Sequence, residues 1–253
     1  MRSLTWSFRI VYHAWAILIF VALMLLIFPF VVLASFWGRI RGGNFAYHLL
    51  RFWARSWFAL IGIRHRNIHD HYRPDPGMQY IFVANHNSFL DAAVAVETIR
   101  QPFRALGKAE MAKIPVFGLI YRICVVIVQR DNAESRARSV RGLKTILKHG
   151  VSILVFPEGT FNDTGRPLKA FFDGAFRVAI ETGTQICPIL FLDDHDRMPF
   201  PPLFTLNPGP SRAVFLPPVS VDGMEMKDLG RLKESVFGLM AEKLVKHKAS
   251  WIR

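Results

Sequence analysis

The chain has 253 residues, of which 51% are hydrophobic, and its formal net charge is +13. This length suits one sizeable α/β domain with a short additional segment. Two cysteines, Cys124 and Cys187, are too few for a disulfide-stapled secreted scaffold, and both lie in apolar runs. The positive charge indicates a polyanionic partner, such as nucleic acid, an anionic membrane face, or a phosphorylated or acidic substrate.

The N-terminal residues predict a membrane anchor. Residues 14–38 contain no charged side chain, and a run of this length is long enough to cross a bilayer. A cleaved signal peptide would have a shorter apolar region and a small-residue cleavage site, and no convincing site precedes Arg39. A soluble core helix rarely stays apolar on every face over such a length.

A second segment, 45–63, mixes Phe, Trp and Leu with Arg51 and Arg55, as an interfacial helix does. Pro29 interrupts the first run and arginines flank both of its ends, so charge does not decide its orientation. We expect residues 1–62 to be membrane-anchoring helices, either one span plus an interfacial helix or a re-entrant hairpin. A plain anchor without a part in substrate access is an equally good interpretation.

Short β-rich runs alternate with amphipathic stretches after Pro74, which predicts an α/β fold with a mostly parallel central sheet flanked by helices. The predicted strands are 80–84, 125–129, 152–156, 185–190 and 213–216. The predicted helices are 88–99, 132–149, 170–182 and 226–248. A further run, 63–69, is expected to pair with the first strand as an edge hairpin. Residues 63–253 would then form one domain behind the anchor.

The residues that follow the strands are candidate site residues, because ligands bind at the carboxyl ends of parallel strands. His86 follows the first predicted strand, Arg130 the second and Glu158 the third. A base, a cation and a carboxylate are therefore expected at one edge of the sheet.

His86 and Asp91 are the candidate catalytic pair. Ser88 and Asp91 have the form of a capping box, which places Asp91 in the first turn of a helix and His86 in the loop before it. A carboxylate that holds one imidazole nitrogen leaves the other free to accept a proton. No Gly-x-Ser-x-Gly sequence supplies a nucleophile, so the pair suits deprotonation of a substrate hydroxyl. The alternative is that Asp91 only caps the helix and His86 is a packed loop residue.

Two sets of possible metal ligands are better explained as solvated side chains. One set alternates along an extended segment and consists of His65, His69 and His71. The other follows a predicted strand and consists of Asp193, Asp194 and Asp196. A solvated edge strand and a solvated loop account for both sets, so no metal site is expected.

The motifs His-x4-Asp at 86–91 and Phe-Pro-Glu-Gly-Thr at 156–160 resemble the glycerolipid acyltransferase superfamily, specifically its bacterial 1-acylglycerol-3-phosphate O-acyltransferases. Further segments resemble the family in order and at plausible spacing: 107–111, 128–131, 171–176 and 186–189. One His-x4-Asp motif is a weak signal, whereas ordered blocks over 81–190 are specific.

The resemblance implies acyl transfer from acyl-CoA or acyl-carrier protein to the free hydroxyl of 1-acyl-sn-glycerol 3-phosphate, which yields phosphatidic acid for phospholipid biosynthesis. His86 would be the general base and Asp91 its orienting partner, with no metal and no cofactor besides the acyl donor. The implied substrate-binding residues are Asn85, Ser88, Lys108, Arg130, Glu158, Gly159 and Thr160. The expected location is the cell inner membrane, in contact with the lipid bilayer, with the catalytic domain on the cytoplasmic side.

Two positions depart from the family pattern. Phe161 stands where an arginine usually follows Glu-Gly-Thr, and Gln129 stands where an acidic residue often precedes the arginine. If the missing arginine binds the acceptor phosphate, a nearby cation must replace it, and the candidates are Arg166, Lys169 and Lys108. Otherwise the acceptor is a lyso-aminolipid such as lyso-ornithine lipid, a lysophospholipid, or glycerol 3-phosphate. The charge alone also allows a non-catalytic basic binding protein, although no nucleic-acid-binding motif is present.

Overall fold

Two N-terminal helices form a hairpin. The computed structural model of the protein describes residues 6–128, 133–199 and 205–252. Helix α1 is Trp6–Ser35 and helix α2 is Gly43–Leu60, and a π-helical turn, Gly38–Gly42, lies between them. This turn approaches α1 so closely that a Cβ atom at Gly42 would lie 1.9 Å from the carbonyl oxygen of Ala34, so only glycine fits there.

Indole N–H groups join the two helices in an antiparallel arrangement. Trp57 of α2 donates to the carbonyl oxygen of Ala16 at 2.9 Å, and Trp15 of α1 donates to that of Leu60 at 3.1 Å. The stretch Arg9–Ser35 is long and apolar enough to cross a membrane by length and composition, and its most apolar 18 consecutive residues have a mean hydropathy of 3.2. Much of α1 faces outward, and its exposed apolar side chains include Ile10, Val11, Ile17, Leu18, Val21, Leu25, Leu26 and Leu33.

Within the described residues, seven strands form one sheet in the order β1-β7-β6-β2-β5-β3-β4. They are β1 Ile63–His69, β2 Ile81–Ala84, β3 Phe103–Lys108, β4 Val125–Val128, β5 Ser152–Val155, β6 Ile186–Phe191 and β7 Gly209–Phe215. Every neighbouring pair is parallel except β6 and β7. The central strands β2, β5 and β6 are buried throughout, because helices cover both faces. The predicted α/β fold with a mostly parallel sheet is confirmed.

The helices divide between the two faces of the sheet. They are α3 Asp91–Thr98, α4 Phe117–Cys124, α5 Ala133–Lys148, α6 Gly174–Thr182, α7 Asp194–Arg197 and α8 Leu229–Lys246. One apolar cluster lies between the sheet and α1 to α4, and a second lies between the sheet and α5, α6 and α8. Trp57 of the hairpin belongs to the same cluster as Phe82 and Leu154 of the sheet. The division into an anchor up to residue 62 and a separate domain stays a prediction.

Some elements differ from the sequence predictions. Strand β1 does not form a hairpin with β2; it pairs in parallel with β7, with His65 opposite Ser211. The sequence does not predict strand β3, because Arg104 interrupts its apolar pattern. Arg104 is nevertheless 1% exposed, since its guanidinium lies 2.9 Å from both the carbonyl oxygen of Arg39 and Oδ1 of Asn44. The sequence also misses helix α4, and α3 begins at Asp91 instead of residue 88.

Candidate active site

His86 and Asp91 meet at the carboxyl end of β2. His86 lies in the loop between β2 and α3, and its Nδ1 is 2.7 Å from Asp91 Oδ2. The same oxygen accepts the backbone N–H groups of Asn87 at 2.8 Å and Ser88 at 3.0 Å. Because a carboxylate is an acceptor only, Nδ1 carries the proton, and Nε2 is the imidazole nitrogen with a free lone pair. This is the arrangement that a general base requires.

Two phenyl rings clamp the imidazole of His86. The centroid of Phe156 lies 4.2 Å from that of His86 at an interplanar angle of 18°, and the centroid of Phe161 lies 4.1 Å away at 36°. Two rings at these distances must cover opposite faces of the imidazole, because they cannot occupy the same face. The side chain of His86 keeps 21% of its area exposed, and Nε2 has no hydrogen-bond partner among the described residues. The clamp therefore fixes the ring and leaves one edge open to a substrate.

Glu158 holds the loop that carries His86. Its Oε1 accepts the backbone N–H of His86 at 2.9 Å, and its Oε2 accepts that of Lys169 at 2.8 Å. The residue is 2% exposed, and burial raises the pKa of its carboxyl to about 7 against these two donors. A further bond, from the N–H of Asn162 to the carbonyl of His86 at 2.6 Å, ties the two loops together. The geometry favours a scaffolding role for Glu158 over direct contact with an acceptor.

Asn85 and Ser88 have their polar groups engaged within the protein. Asn85 Nδ2 donates to the carbonyl of Phe191 at 3.0 Å, and its Oδ1 accepts the N–H of Phe191 at 2.8 Å, which joins the ends of β2 and β6. Ser88 Oγ donates to the carbonyl of Met198 at 2.7 Å and accepts the N–H of Leu90 at 3.0 Å. Both residues are buried. Their polar groups shape the loop around His86, and the expected contact of these two residues with a substrate stays a prediction.

Gly159 and Thr160 form the turn after Glu158. Gly159 has a φ of 70°, a backbone conformation that favours glycine, and a Cβ atom there would also have to displace the exposed ring of Phe172, which would lie 2.6 Å away. Thr160 is exposed next to this turn. Of the implied binding residues in this motif, Thr160 is the one whose side chain is open to a ligand.

Lys108 is an exposed cation at the same edge of the sheet. It is the last residue of β3, and it forms no ion pair with any residue in the described ranges. Its partner in β4 is Val128, two residues before Arg130. Arg130 itself lies outside the described residues, as does Gln129. Strand β5 alone separates β3 from β2, so the ends of these strands are roughly 10 Å apart.

The other candidate cations differ in availability. Lys169 Nζ lies 2.6 Å from Asp163 Oδ1 and 2.8 Å from the carbonyl oxygen of Phe161, so its charge is already engaged. Arg166 has no ion pair with a described residue, and its carbonyl accepts the indole N–H of Trp251 at 3.2 Å. Lys108 is consequently a better replacement for the missing arginine than Lys169.

Some of the residues interpreted as solvated are buried, whereas His71 and Asp196 are exposed. His65 Nδ1 lies 3.1 Å from Ser211 Oγ, and burial lowers the pKa of its imidazole. Asp193 is paired with Arg212 at 2.7 Å, and Asp194 is fully buried behind Asp91. In the part of the chain that the structure describes, no three His, Cys, Asp or Glu side chains are grouped so as to hold a metal ion. The sequence alone does not predict that Asp194 is buried beside Asp91, because an acidic run after a strand is typical of a solvated loop.

Comparison with known proteins identifies the family of this chain. A family model described as Acyltransferase matches residues 64–192, which are 129 of the 253 residues. The chloroplastic 1-acyl-sn-glycerol-3-phosphate acyltransferase LPAT1 of Arabidopsis thaliana is 29% identical over 201 residues, 79% of this chain and 54% of that protein. The 1-acyl-sn-glycerol-3-phosphate acyltransferase of Salmonella typhimurium is 30% identical over 166 residues, 65% of this chain and 66% of that protein.

The chain thus spans between about half and two thirds of the length of these relatives. The crystal structure of the 1-acyl-sn-glycerophosphate (LPA) acyltransferase PlsC from Thermotoga maritima has the same fold, with a TM-score of 0.77 at 22% identity. The alignment covers 97% of this chain and 100% of that one. The family match includes His86, Asp91 and Glu158 and spans half of the sequence, and the chain therefore belongs to the acyltransferase family.

Proposed function

We propose that this protein transfers an acyl group from a thioester donor to the free hydroxyl of 1-acyl-sn-glycerol 3-phosphate, giving phosphatidic acid. The observation that carries the proposal is the imidazole of His86, held by Asp91 through Nδ1 and open at Nε2, in a chain of this family. The similar proteins of Arabidopsis thaliana and Salmonella typhimurium are named for this reaction, which supports the choice of acceptor. The donor is acyl-CoA or acyl-carrier protein, and no other cofactor is proposed.

His86 acts on the acceptor and not on a protein nucleophile. Its Nε2 removes the proton of the acceptor hydroxyl as that oxygen attacks the thioester carbonyl carbon. Asp91 stabilises the imidazolium, and the C–S bond then breaks while the leaving thiol takes the proton from His86. Neither cysteine is an alternative nucleophile, because Cys124 and Cys187 are buried and burial raises the pKa of both thiols.

Cations beside the sheet edge would bind the acceptor phosphate. Lys108 is exposed at the end of β3, and Arg130 follows the neighbouring strand β4 by two residues. Phosphate binding by both is consistent with the basic charge of the chain. Thr160 is suitably exposed to contact the glycerol part.

The hairpin is proposed to attach the protein to the inner membrane, with the sheet on the cytoplasmic side. The outward face of α1 is apolar, which suits contact with lipid. α1 lies beside α2 from Trp15 to Ala34, and α2 packs on α3 and β1. This supports a hairpin at the membrane surface over a single span that leaves the domain at its end. A site held at this surface shortens the path of poorly soluble lipid substrates.

Phe161 supports a second candidate, the same transfer onto another lysolipid. It occupies the position of the family arginine, and its ring lies against His86, where an arginine would add a cation next to the base. An acceptor without a phosphate monoester, such as a lyso-aminolipid, would need no such cation. The donor-side chemistry and the role of His86 are the same for both acceptors.

A transfer assay with several acceptors tests the proposal. Wild type and His86→Ala are given labelled acyl-CoA or acyl-carrier protein together with lysophosphatidate, lyso-ornithine lipid, lysophosphatidylcholine or glycerol 3-phosphate. His149→Ala is the matched control, because His149 is exposed beyond α5 at the opposite edge of the sheet. We expect transfer to lysophosphatidate, lost by roughly a hundredfold or more in His86→Ala alone. Preferential transfer to another acceptor would establish the second candidate, and no transfer to any acceptor would refute both.

A further inference from the structure

Asp194 is a buried carboxyl that the proposed mechanism does not use. It is the first residue of the short helix α7, beyond the end of β6 and outside the residues that the family model matches. Its neighbour Asp193 turns toward Arg212 and is bound by it at 2.8 and 2.7 Å. Asp194 instead has no exposed surface, and its side chain lies against Asp91. A carboxyl in this position lies directly behind the catalytic pair.

The two carboxyl groups have complementary unpaired oxygens. Asp91 Oδ2 accepts three hydrogen bonds, from His86, Asn87 and Ser88, whereas its Oδ1 has no donor among the described residues. Asp194 Oδ1 accepts a bond from Ser211 Oγ at 3.1 Å, whereas its Oδ2 has no donor among them. Asp91 and Asp194 are within hydrogen-bonding reach of each other. Two ionised carboxylates would leave both oxygens unsatisfied and in repulsion, and one shared proton satisfies both.

The surroundings decide which carboxyl holds that proton. Asp91 has two backbone donors and the imidazole, all of which favour its ionised form. Asp194 has one hydroxyl donor, and the nearby cation Arg212 is taken by Asp193. Burial raises the pKa of Asp194 well above its usual range, and the charges of Asp91 and Asp193 act in the same direction.

No cation approaches Asp194 from strand β1 either. His65 of β1 contacts the other side of Ser211 Oγ at 3.1 Å, and burial lowers the pKa of this imidazole. His65 is therefore neutral near neutral pH. The proton consequently stays on Asp194, as in other pairs of buried carboxyls.

We propose that Asp194 is a positioning residue for the His86–Asp91 pair: as a neutral carboxylic acid it donates a hydrogen bond to Asp91 Oδ1 and so keeps Asp91 Oδ2 aimed at His86. The inference rests on the proposed acyl transfer for its kinetic consequence. The hydrogen bond fixes the plane of the Asp91 carboxylate, which would otherwise be held through one oxygen only. It also spreads the negative charge of Asp91, which limits how strongly the carboxylate holds the imidazolium and lets the proton return to the leaving thiol.

Three variants separate positioning from packing. Asp194→Asn keeps the shape, donates through its amide to Asp91 and accepts from Ser211, whereas Asp194→Ala removes the donor. Asp196→Asn is the matched control, because Asp196 is exposed two residues away. We expect Asp194→Ala to lower kcat roughly 10- to 100-fold at a nearly unchanged acceptor KM, as for one lost bond to a charged group. Asp194→Asn should stay within about threefold of wild type, because it restores that bond.

The pH profile of kcat/KM is a second test, because a change in packing alone would not shift it. In Asp194→Ala the acid limb of kcat/KM should shift to higher pH, because Asp91 without its donor holds the imidazolium more strongly. Asp194→Asn and Asp196→Asn should keep the limb of the wild type. An unchanged limb in Asp194→Ala, or equal losses of kcat in the alanine and asparagine variants, would overturn the proposal.

Infrared difference spectroscopy tests the proton itself without any activity. Above the pKa of Glu158, the wild type should show the carbonyl stretch of a neutral carboxylic acid that Asp194→Asn removes and Asp196→Asn retains. If no band disappears with Asp194, the proposal is wrong, whatever the kinetics. If the wild type transfers to no acceptor, the proposed function fails, and the infrared band still decides whether Asp194 holds the proton.

Discussion

Replacement of Glu158 by glutamine distinguishes a scaffold from a ligand-binding residue. Each carboxyl oxygen accepts one backbone N–H, from His86 at 2.9 Å and from Lys169 at 2.8 Å. Glutamine turns one of these oxygens into an NH₂ group, which then faces an N–H donor in a site that is 2% exposed. One lost bond with an unsatisfied buried donor costs about 1–3 kcal/mol. For a chain of this size that corresponds to a fall in Tm of roughly 2–12 °C.

The assay combines thermal unfolding in detergent with initial rates at varied acceptor concentration. Glu158→Gln should lower both Tm and kcat, because the loop that carries His86 loses its support, while the acceptor KM stays close to that of the wild type. Glu242→Gln is the control, since Glu242 is exposed on α8. An unchanged Tm with a raised acceptor KM would refute the scaffold and show that Glu158 binds the acceptor.

Three further predictions concern charge and stacking around the same edge. Burial raises the pKa of Glu158 from 4.5 to about 7, so the folded state keeps a proton that the unfolded chain releases. The free energy of unfolding should therefore fall as the pH rises from 4.5 to about 7. Chemical denaturation of Glu158→Gln should not show this fall. Lys108→Ala should raise the KM for lysophosphatidate about 10- to 100-fold at constant kcat, because a charge-assisted bond to phosphate is lost. Lys148→Ala, at the opposite edge of the sheet, should leave this KM unchanged. An equal KM in the two variants would contradict phosphate binding by Lys108. Phe161→Leu should lower kcat roughly two- to tenfold by removing one ring of the clamp, and steady-state rates as fast as those of the wild type would show that the clamp is dispensable.

The sheet and the pairing of His86 with Asp91 can be predicted from the sequence because their signals are local. Strands β2 and β5 are apolar runs that end two residues before His86 and three residues before Glu158, and the strand-end rule then brings these residues together. Asp91 falls in the first helical turn as the capping pattern predicts, although Ser88 is not the N-cap residue. Such signals need only a few neighbouring residues and the geometry of parallel strands.

Long-range contacts are not readable in the same way. Strand β1 pairs with β7, whose residues lie 146 positions later in the chain, and no local pattern specifies that partner. Asp194 follows Asp193 in an acidic run, and only the fold turns one toward Arg212 and the other toward Asp91. Similarly, arginine is usually an exposed residue type, but Arg104 is buried and its Nη2 donates to carbonyl groups of the N-terminal hairpin. Burial of a charged group depends on partners that are distant in sequence.

Single-turnover acyl transfer tests most directly whether His86 activates the acceptor hydroxyl. Enzyme loaded with labelled acyl-CoA, or with labelled acyl-carrier protein, is mixed rapidly with lysophosphatidate, quenched, and examined for labelled phosphatidate and for labelled protein. We predict that label passes from the thioester to phosphatidate without labelling the protein, and that His86→Ala slows this step by roughly a hundredfold or more while the donor still binds. An acyl group that accumulates on the protein, or transfer by His86→Ala as fast as by wild type, would contradict the account.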